Sequence, residues 1–284
     1  MKLTAFQALD LSDPLGVFNA SLYKGPSSLQ FIKKTRTGID LVLPFGSESS
    51  SRRLSQRITG TIKYNSSGIF WEGSAITAVQ DFDLQAPSGK PQPRWEASQF
   101  TLSGKDILLF REAYESWYKT PESWENYQKA LAQTRDLIEK TLFRGKDSIT
   151  GSDEIDVLAG GDGDDDITGR GSSDTLTGGR GVDRFIYLST ADSAPSLNTI
   201  DTITDFTTGK RGDRIDLKAI RSSTDKPLNF IGKSEFNGLA GEVRYGMEKL
   251  EIDSNGDRLA DMIINLPKTT NLTLSSLILQ SSSA

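Results

Sequence analysis

From Leu142 to Ile186 the chain divides into five consecutive nonapeptides, LFRGKDSIT, GSDEIDVLA, GGDGDDDIT, GRGSSDTLT and GGRGVDRFI, with no residue inserted or lost. The sixth place is always aspartate: Asp147, Asp156, Asp165, Asp174 and Asp183. The eighth is always apolar: Ile149, Leu158, Ile167, Leu176 and Phe185. Glycine opens the last four units, at Gly151, Gly160, Gly169 and Gly178. A fixed period of this kind marks stacked units, none of which can bury its own apolar residue alone. Six residues rich in glycine and aspartate turn tightly, because glycine tolerates positive φ. The next three form a short strand whose single hydrophobe points inward. The in-phase hydrophobes separate this pattern from a Gly/Asp-rich flexible linker.

The expected product is a solenoid with a thin aliphatic core and a ladder of aspartates along its turns. The segment carries ten acidic and five basic residues, a surplus equal to the −5 of the whole 284-residue chain. Unneutralised, such a ladder repels itself. Carboxylates and free backbone carbonyls are hard oxygen ligands, which suit Ca²⁺ and suit Mg²⁺ less well. Composition narrows the remaining chemistry. There is no cysteine and no histidine, so disulfides, thiolate sites, HExxH zinc sites and Ser-His-Asp triads are excluded. A negative chain argues against nucleic acid as a partner, and no run approaches the roughly 18 apolar residues of a membrane span.

The units resemble the GGxGxDxUx nonapeptides of the RTX family. The resemblance implies a parallel β-roll in which successive turns alternate between two edges and each Ca²⁺ sits between turns two repeats apart. Asp147, Asp165 and Asp183 would share one edge, with Gly145, Gly161, Gly163, Gly179 and Gly181 beside them. Asp156 and Asp174 would share the other. The first edge matches the consensus in full at residues 160–165 and 178–183. On the second, Ser152, Glu154, Arg170 and Ser172 replace glycines. Two good calcium sites on the first edge and a weaker one on the second are therefore expected.

After the roll, residues 187–284 are expected to form a β-rich sheet. The segments from Asp201 to Ile220, Phe236 to Tyr245 and Leu250 to Asp253 resemble the stretch after the repeats in serralysin-type RTX proteins, so the likeness runs from about Leu142 to the end. It extends to their C-terminal domain alone, since a zinc protease domain needs histidine. Within this region Asp253, Asn255, Asp257 and Asp261 place oxygen side chains at alternate positions suited to a cation. Arg258 and Ile264 stand where an EF-hand wants glycine and glutamate. The same stretch also reads as a hairpin turn on Asn255-Gly256, between Leu250–Ile252 and Met262–Leu266. The tail from Leu272 reads as a final strand or, by the RTX resemblance, as an uncleaved signal for type I export from a bacterial cell. Both can hold.

Residues 1–141 are expected to form a β-rich domain ending in two helices. Strand candidates are 38–43, 57–64 and 75–84, with a loop from Pro87 to Pro93. Ser103 suits the cap of a helix reaching about Tyr118, and Pro121 suits the first turn of a second helix that would cap the open end of the roll. Glu72, Asp81, Asp83 and Glu96 lie near Trp71, Phe82 and Trp95, a mixture compatible with a carbohydrate site. The fold class is thus mainly β: a parallel β-roll at 142–186, a β-rich sheet at 187–284 and an N-terminal β-plus-helix cap. The expected function is a secreted, extracellular calcium-binding protein served by the type I secretion machinery, its N-terminal half a cap or a surface for cell-surface or glycan partners. The alternatives are an exported carbohydrate-active enzyme and a surface-layer or adhesive subunit.

Overall fold

The computed structural model describes residues 143–196 and 199–279 with their side chains, and seven N-terminal strands through their backbone. The chain divides between Arg144 and Gly145 into two compact units.

In the first unit the strands are β1 (Lys2–Ala5), β2 (Gln30–Lys34), β3 (Gly38–Pro44), β4 (Arg53–Thr61), β5 (Ala75–Asp83), β6 (Gln92–Ser98) and β7 (Leu102–Ser103). They pair antiparallel in the order β1-β6-β5-β4-β3-β2, with β7 beside β5. Two of the strands fall on candidates read from sequence, β3 and β5, and β4 begins four residues before its candidate. Pro93, expected in a loop, lies inside β6. It pairs with Phe82 where the register shifts between Asp81 and Phe82, an irregularity that tolerates a residue with no N–H to give. Gly60 marks a second shift, in β4. The two expected helices, over 103–118 and 121–142, lie outside the described residues beyond Ser103.

In the second unit the period of nine becomes geometry. Strands β8 (Ser148–Thr150), β9 (Val157–Asp162), β10 (Asp166–Thr168), β11 (Thr175–Arg180) and β12 (Arg184–Ile186) fall alternately in two parallel sheets. Each pairs with the strand eighteen residues away: Ile167 lies beside Ile149 and Phe185, and Leu176 beside Leu158. This is a parallel β-roll. The eighth residue of every unit points between the sheets, and Ile149, Leu158, Ile167, Leu176 and Phe185 are fully buried, each worth roughly 1.5–3 kcal/mol of apolar transfer.

The roll outlasts the repeats. β13 (Asp201–Ile203) continues the β9-β11 sheet, and β14 (Arg214–Asp216) continues the β8-β10-β12 sheet, burying Ile203 and Ile215 at the same depth. Then come β15 (Asn229–Phe230), β16 (Glu242–Gly246), β17 (Lys249–Asp253), β18 (Met262–Asn265) and β19 (Leu277–Ile278). β18 joins β13 in parallel and turns that sheet antiparallel through β17 and β16, while β19 lies beside β14. Val243, Tyr245, Leu250, Ile252, Met262 and Ile264 make the core of this end. They close the C-terminal side of the solenoid, as stacked units require.

Candidate metal centre

Asp165, Asp174 and Asp183 each reach back to the turn eighteen residues earlier. Asp165 Oδ1 accepts the N–H of Asp147 at 2.7 Å, and Asp183 Oδ1 accepts that of Asp165 at 2.9 Å. On the other edge Asp174 Oδ1 accepts the N–H of Asp156 at 2.9 Å. The second oxygens of Asp165, Asp174 and Asp183 are buried with no hydrogen-bond partner. They lie against the α-carbons of Gly160, Gly169 and Gly178, where any side chain would collide with them. The glycine that opens a repeat is thus required by the aspartate five residues on.

Glycines inside the first-edge turns serve the backbone. Gly145, Gly161, Gly163, Gly179 and Gly181 all have left-handed φ, from +95° to +144°. The carbonyl oxygens of Gly145, Gly161 and Gly163 face the α-carbons of Gly163, Gly179 and Gly181, so a Cβ at any of those three would overlap an oxygen. Carbonyls therefore stack along the first edge, the edge that also carries the unpartnered oxygens of Asp165 and Asp183. Among the described residues no three carboxylates gather at one point. Each turn instead offers one carboxylate and backbone carbonyls, an all-oxygen set that fits Ca²⁺.

The second edge is built differently. Arg170 and Ser172 are held at φ of +75° and +76°, where L side chains are strained. In the other turn, Ser152 donates both its N–H and its hydroxyl to Asp156 Oδ2, at 2.6 and 3.0 Å. The oxygen that stays open on Asp165 is filled on Asp156.

The comparisons with known proteins bear on this half of the chain. Residues 141–278 match the family model described as Peptidase M10 serralysin C terminal. That segment is similar to the C-terminal, RTX-type domain of the serralysins. Among solved structures, the AlgE6R3 subunit of the Azotobacter vinelandii mannuronan C5-epimerase is similar at 24% identity and a TM-score of 0.36, over 49% of this chain and 76% of that one. No curated protein matches the sequence.

Burial sets the electrostatics of the roll. Desolvation, followed by the charge of neighbouring aspartates, pushes Asp165 up to about 6 and Asp174 and Asp183 to about 7. Burial also raises Asp147. By contrast Asp166, on a strand rather than a turn, is held below the usual range because Arg184 and Lys146 overcome its burial.

The structure adds residues that the nonapeptide reading left out. Asp201 Oδ1 accepts the N–H of Asp174 at 2.8 Å, and Asp213 Oδ1 accepts that of Asp183 at 2.9 Å, so both ladders run one rung past the repeats. Burial drives Asp201 up to about 8, with Asp174 adding to it. Asp205 receives the N–H groups of Gly178 and Gly179, at 2.9 and 2.8 Å. The signal for the first two was present: Asp201-Thr-Ile203 and Asp213-Arg-Ile215 repeat the aspartate-x-apolar phase after longer insertions.

Asp253 ends β17, and Asn255, Asp257 and Asp261 lie in the loop between β17 and β18, which pair as an antiparallel hairpin. Their oxygens bind the loop itself. Asp253 accepts the N–H groups of Gly256 and Arg258, Asp257 that of Leu259, and Asp261 the N–H and hydroxyl of Ser254 and the amide of Asn255. Side chains of Glu72, Asp81, Asp83 and Glu96 lie outside the described residues.

Proposed function

We propose that the chain is a secreted calcium-binding RTX protein whose roll folds when it meets extracellular calcium after type I export. The observation that carries this reading is the first edge, where the buried, unpartnered oxygens of Asp165 and Asp183 share their turns with the stacked carbonyls of Gly145, Gly161 and Gly163. The first-edge ligands are Asp147, Asp165 and Asp183 with Gly145, Gly161, Gly163, Gly179 and Gly181, and Asp156 and Asp174 form the weaker edge. Calcium that binds only the folded roll stabilises it in proportion to its concentration. Low intracellular calcium leaves the segment unfolded for passage, and millimolar calcium outside closes it. Among the described residues no helix is long and apolar enough to cross a membrane.

Residues 1–141 act in this reading as a cap or a binding surface. One observation favours the alternative of a carbohydrate-active enzyme: the β5-β6 register sets Asp81 opposite Trp95 and Gln80 opposite Glu96. Screening glycans for cleavage, with Asp81→Asn and Glu96→Gln as controls, decides between the two. The calcium reading is tested by limited proteolysis of the full chain. Residues 143–279 should resist cleavage in millimolar Ca²⁺ and be cut in chelator or in Mg²⁺ alone; equal resistance in all three would refute it.

A further inference from the structure

The antiparallel pair β16-β17 sets Glu242 directly opposite Asp253, Val243 opposite Ile252, Arg244 opposite Glu251 and Tyr245 opposite Leu250. Directly opposed residues share a face. Val243, Ile252, Tyr245 and Leu250 are buried in the core, so Glu242, Asp253, Arg244 and Glu251 occupy the other face. There the two rungs differ. Arg244 is matched by Glu251, with Nε 2.6 Å from Oε2, and by Glu235. The rung beside it holds two carboxylates and no base.

Both acids are out of solvent, Glu242 at 2% exposure and Asp253 at 0%. Glu242 Oε2 accepts the N–H of Asn237 at 2.9 Å, while its Oε1 is buried without a hydrogen-bond partner. Asp253 accepts only backbone N–H groups, from Gly256 at 2.6 Å and Arg258 at 2.8 Å. The guanidinium of Arg258 gives its Nη2 to the carbonyl of Asn237 at 3.2 Å. Among the described residues no lysine or arginine pairs with either acid. Like charges directly opposite on a sheet destabilise it, and burial multiplies that cost unless a counter-charge is present.

We propose that Glu242 and Asp253 hold a divalent cation, apart from the roll, that ties the 234–241 segment to the 254–261 loop. A backbone carbonyl lies in the same loop pair. Left-handed Gly256, at φ +85°, packs against the carbonyl of Gly238, which lies 3.0 Å from where its Cβ would be. The hairpin loop also lacks the closing glutamate that its aspartate spacing invites, since Ile264 stands there, and Glu242 supplies a carboxylate from the neighbouring strand instead. Carboxylate and carbonyl oxygens in a buried setting suit Ca²⁺ over Mg²⁺, which gives up water reluctantly. The choice of calcium rests on the reading of the domain as calcium-binding; the unpartnered state of Glu242 Oε1 does not.

The test is equilibrium dialysis of the full chain against calcium, comparing wild type, Glu242→Gln, Asp165→Ala and the double variant. Glu242→Gln should bind one ion fewer than wild type while gaining the same β-sheet signal on calcium addition, and the double variant should lose that ion in addition to those lost by Asp165→Ala. If Glu242→Gln binds as many ions as wild type, the site is refuted and the roll reading stands. If wild type binds none, both fall. Should Glu242→Gln fail to fold, infrared spectra of wild type labelled with ¹³C-glutamate decide. A glutamate carboxylate stretch that shifts on calcium addition supports the site. A protonated glutamate band that persists in saturating calcium, or a stretch indifferent to calcium, overturns it.

Discussion

At the scale of single residues, glycine and aspartate in the roll are mutually required. Gly163 and Gly181 combine φ of +143° and +144° with a carbonyl oxygen against the α-carbon. Gly163→Ala should therefore cost more than the roughly 1–3 kcal/mol of backbone strain alone, seen as a higher calcium midpoint for folding. Gly145→Ala, where nothing lies within 4 Å of the added carbon, should cost only the φ strain; equal effects would contradict the carbonyl-column account. The aspartates also give the apo roll a pH signature. Asp165, Asp174, Asp183 and Asp201 sit at about 6, 7, 7 and 8 against 3.8 in an unfolded chain. Between these limits the folded state binds more protons, so stability is full below about pH 4 and is lost as pH rises through about 6–8. In chelator the residual β-sheet signal should be greater at pH 5 than at pH 8, because protons partly replace calcium, and calcium affinity should rise over the same interval because metal displaces those protons. A chelator β-sheet signal that climbs with pH would contradict the assignment.

Elements of the roll were legible in sequence to the extent that a single period governs them. The strands at 148–150, 157–162, 166–168, 175–180 and 184–186 follow from the phase of Ile149, Leu158, Ile167, Leu176 and Phe185. Beyond Ile186 the spacing stretches to 27 and 30 residues, so β13 and β14 keep the aspartate-x-apolar signature but lose the period that would expose them. Pro93 shows the opposite failure: a proline taken as a loop marker is accommodated by a register shift that leaves no trace in composition. The Glu242–Asp253 rung depends on strand register between distant segments, which no local pattern encodes. Two predictions belong to this scale. Asp165→Ala should raise the calcium midpoint more than Asp174→Ala, because Asp165 stands between both first-edge turns; the reverse order would exchange the roles of the edges. Asp201→Ala should loosen the other ladder at its end by stranding the N–H of Asp174, a cost of about 1–3 kcal/mol. A thermal melt in calcium that matches wild type would show that rung to be dispensable.

For the whole molecule, the roll has a core only one side chain deep along the repeats, and buried aspartates on both edges that repel their neighbours along each ladder. Apolar burial and backbone ladders favour the closed roll, while like charges brought out of water disfavour it. In the proposed reading calcium is the component that changes the sign of the second effect, and its concentration differs between the inside and the outside of a cell. The most direct measurement is far-UV circular dichroism of the full chain during a calcium titration, with magnesium as control. A cooperative gain of β-sheet signal is expected at roughly 0.1–1 mM Ca²⁺, the range of extracellular calcium modules, and none with Mg²⁺. A chain already folded in chelator and indifferent to calcium would contradict a roll that calcium closes.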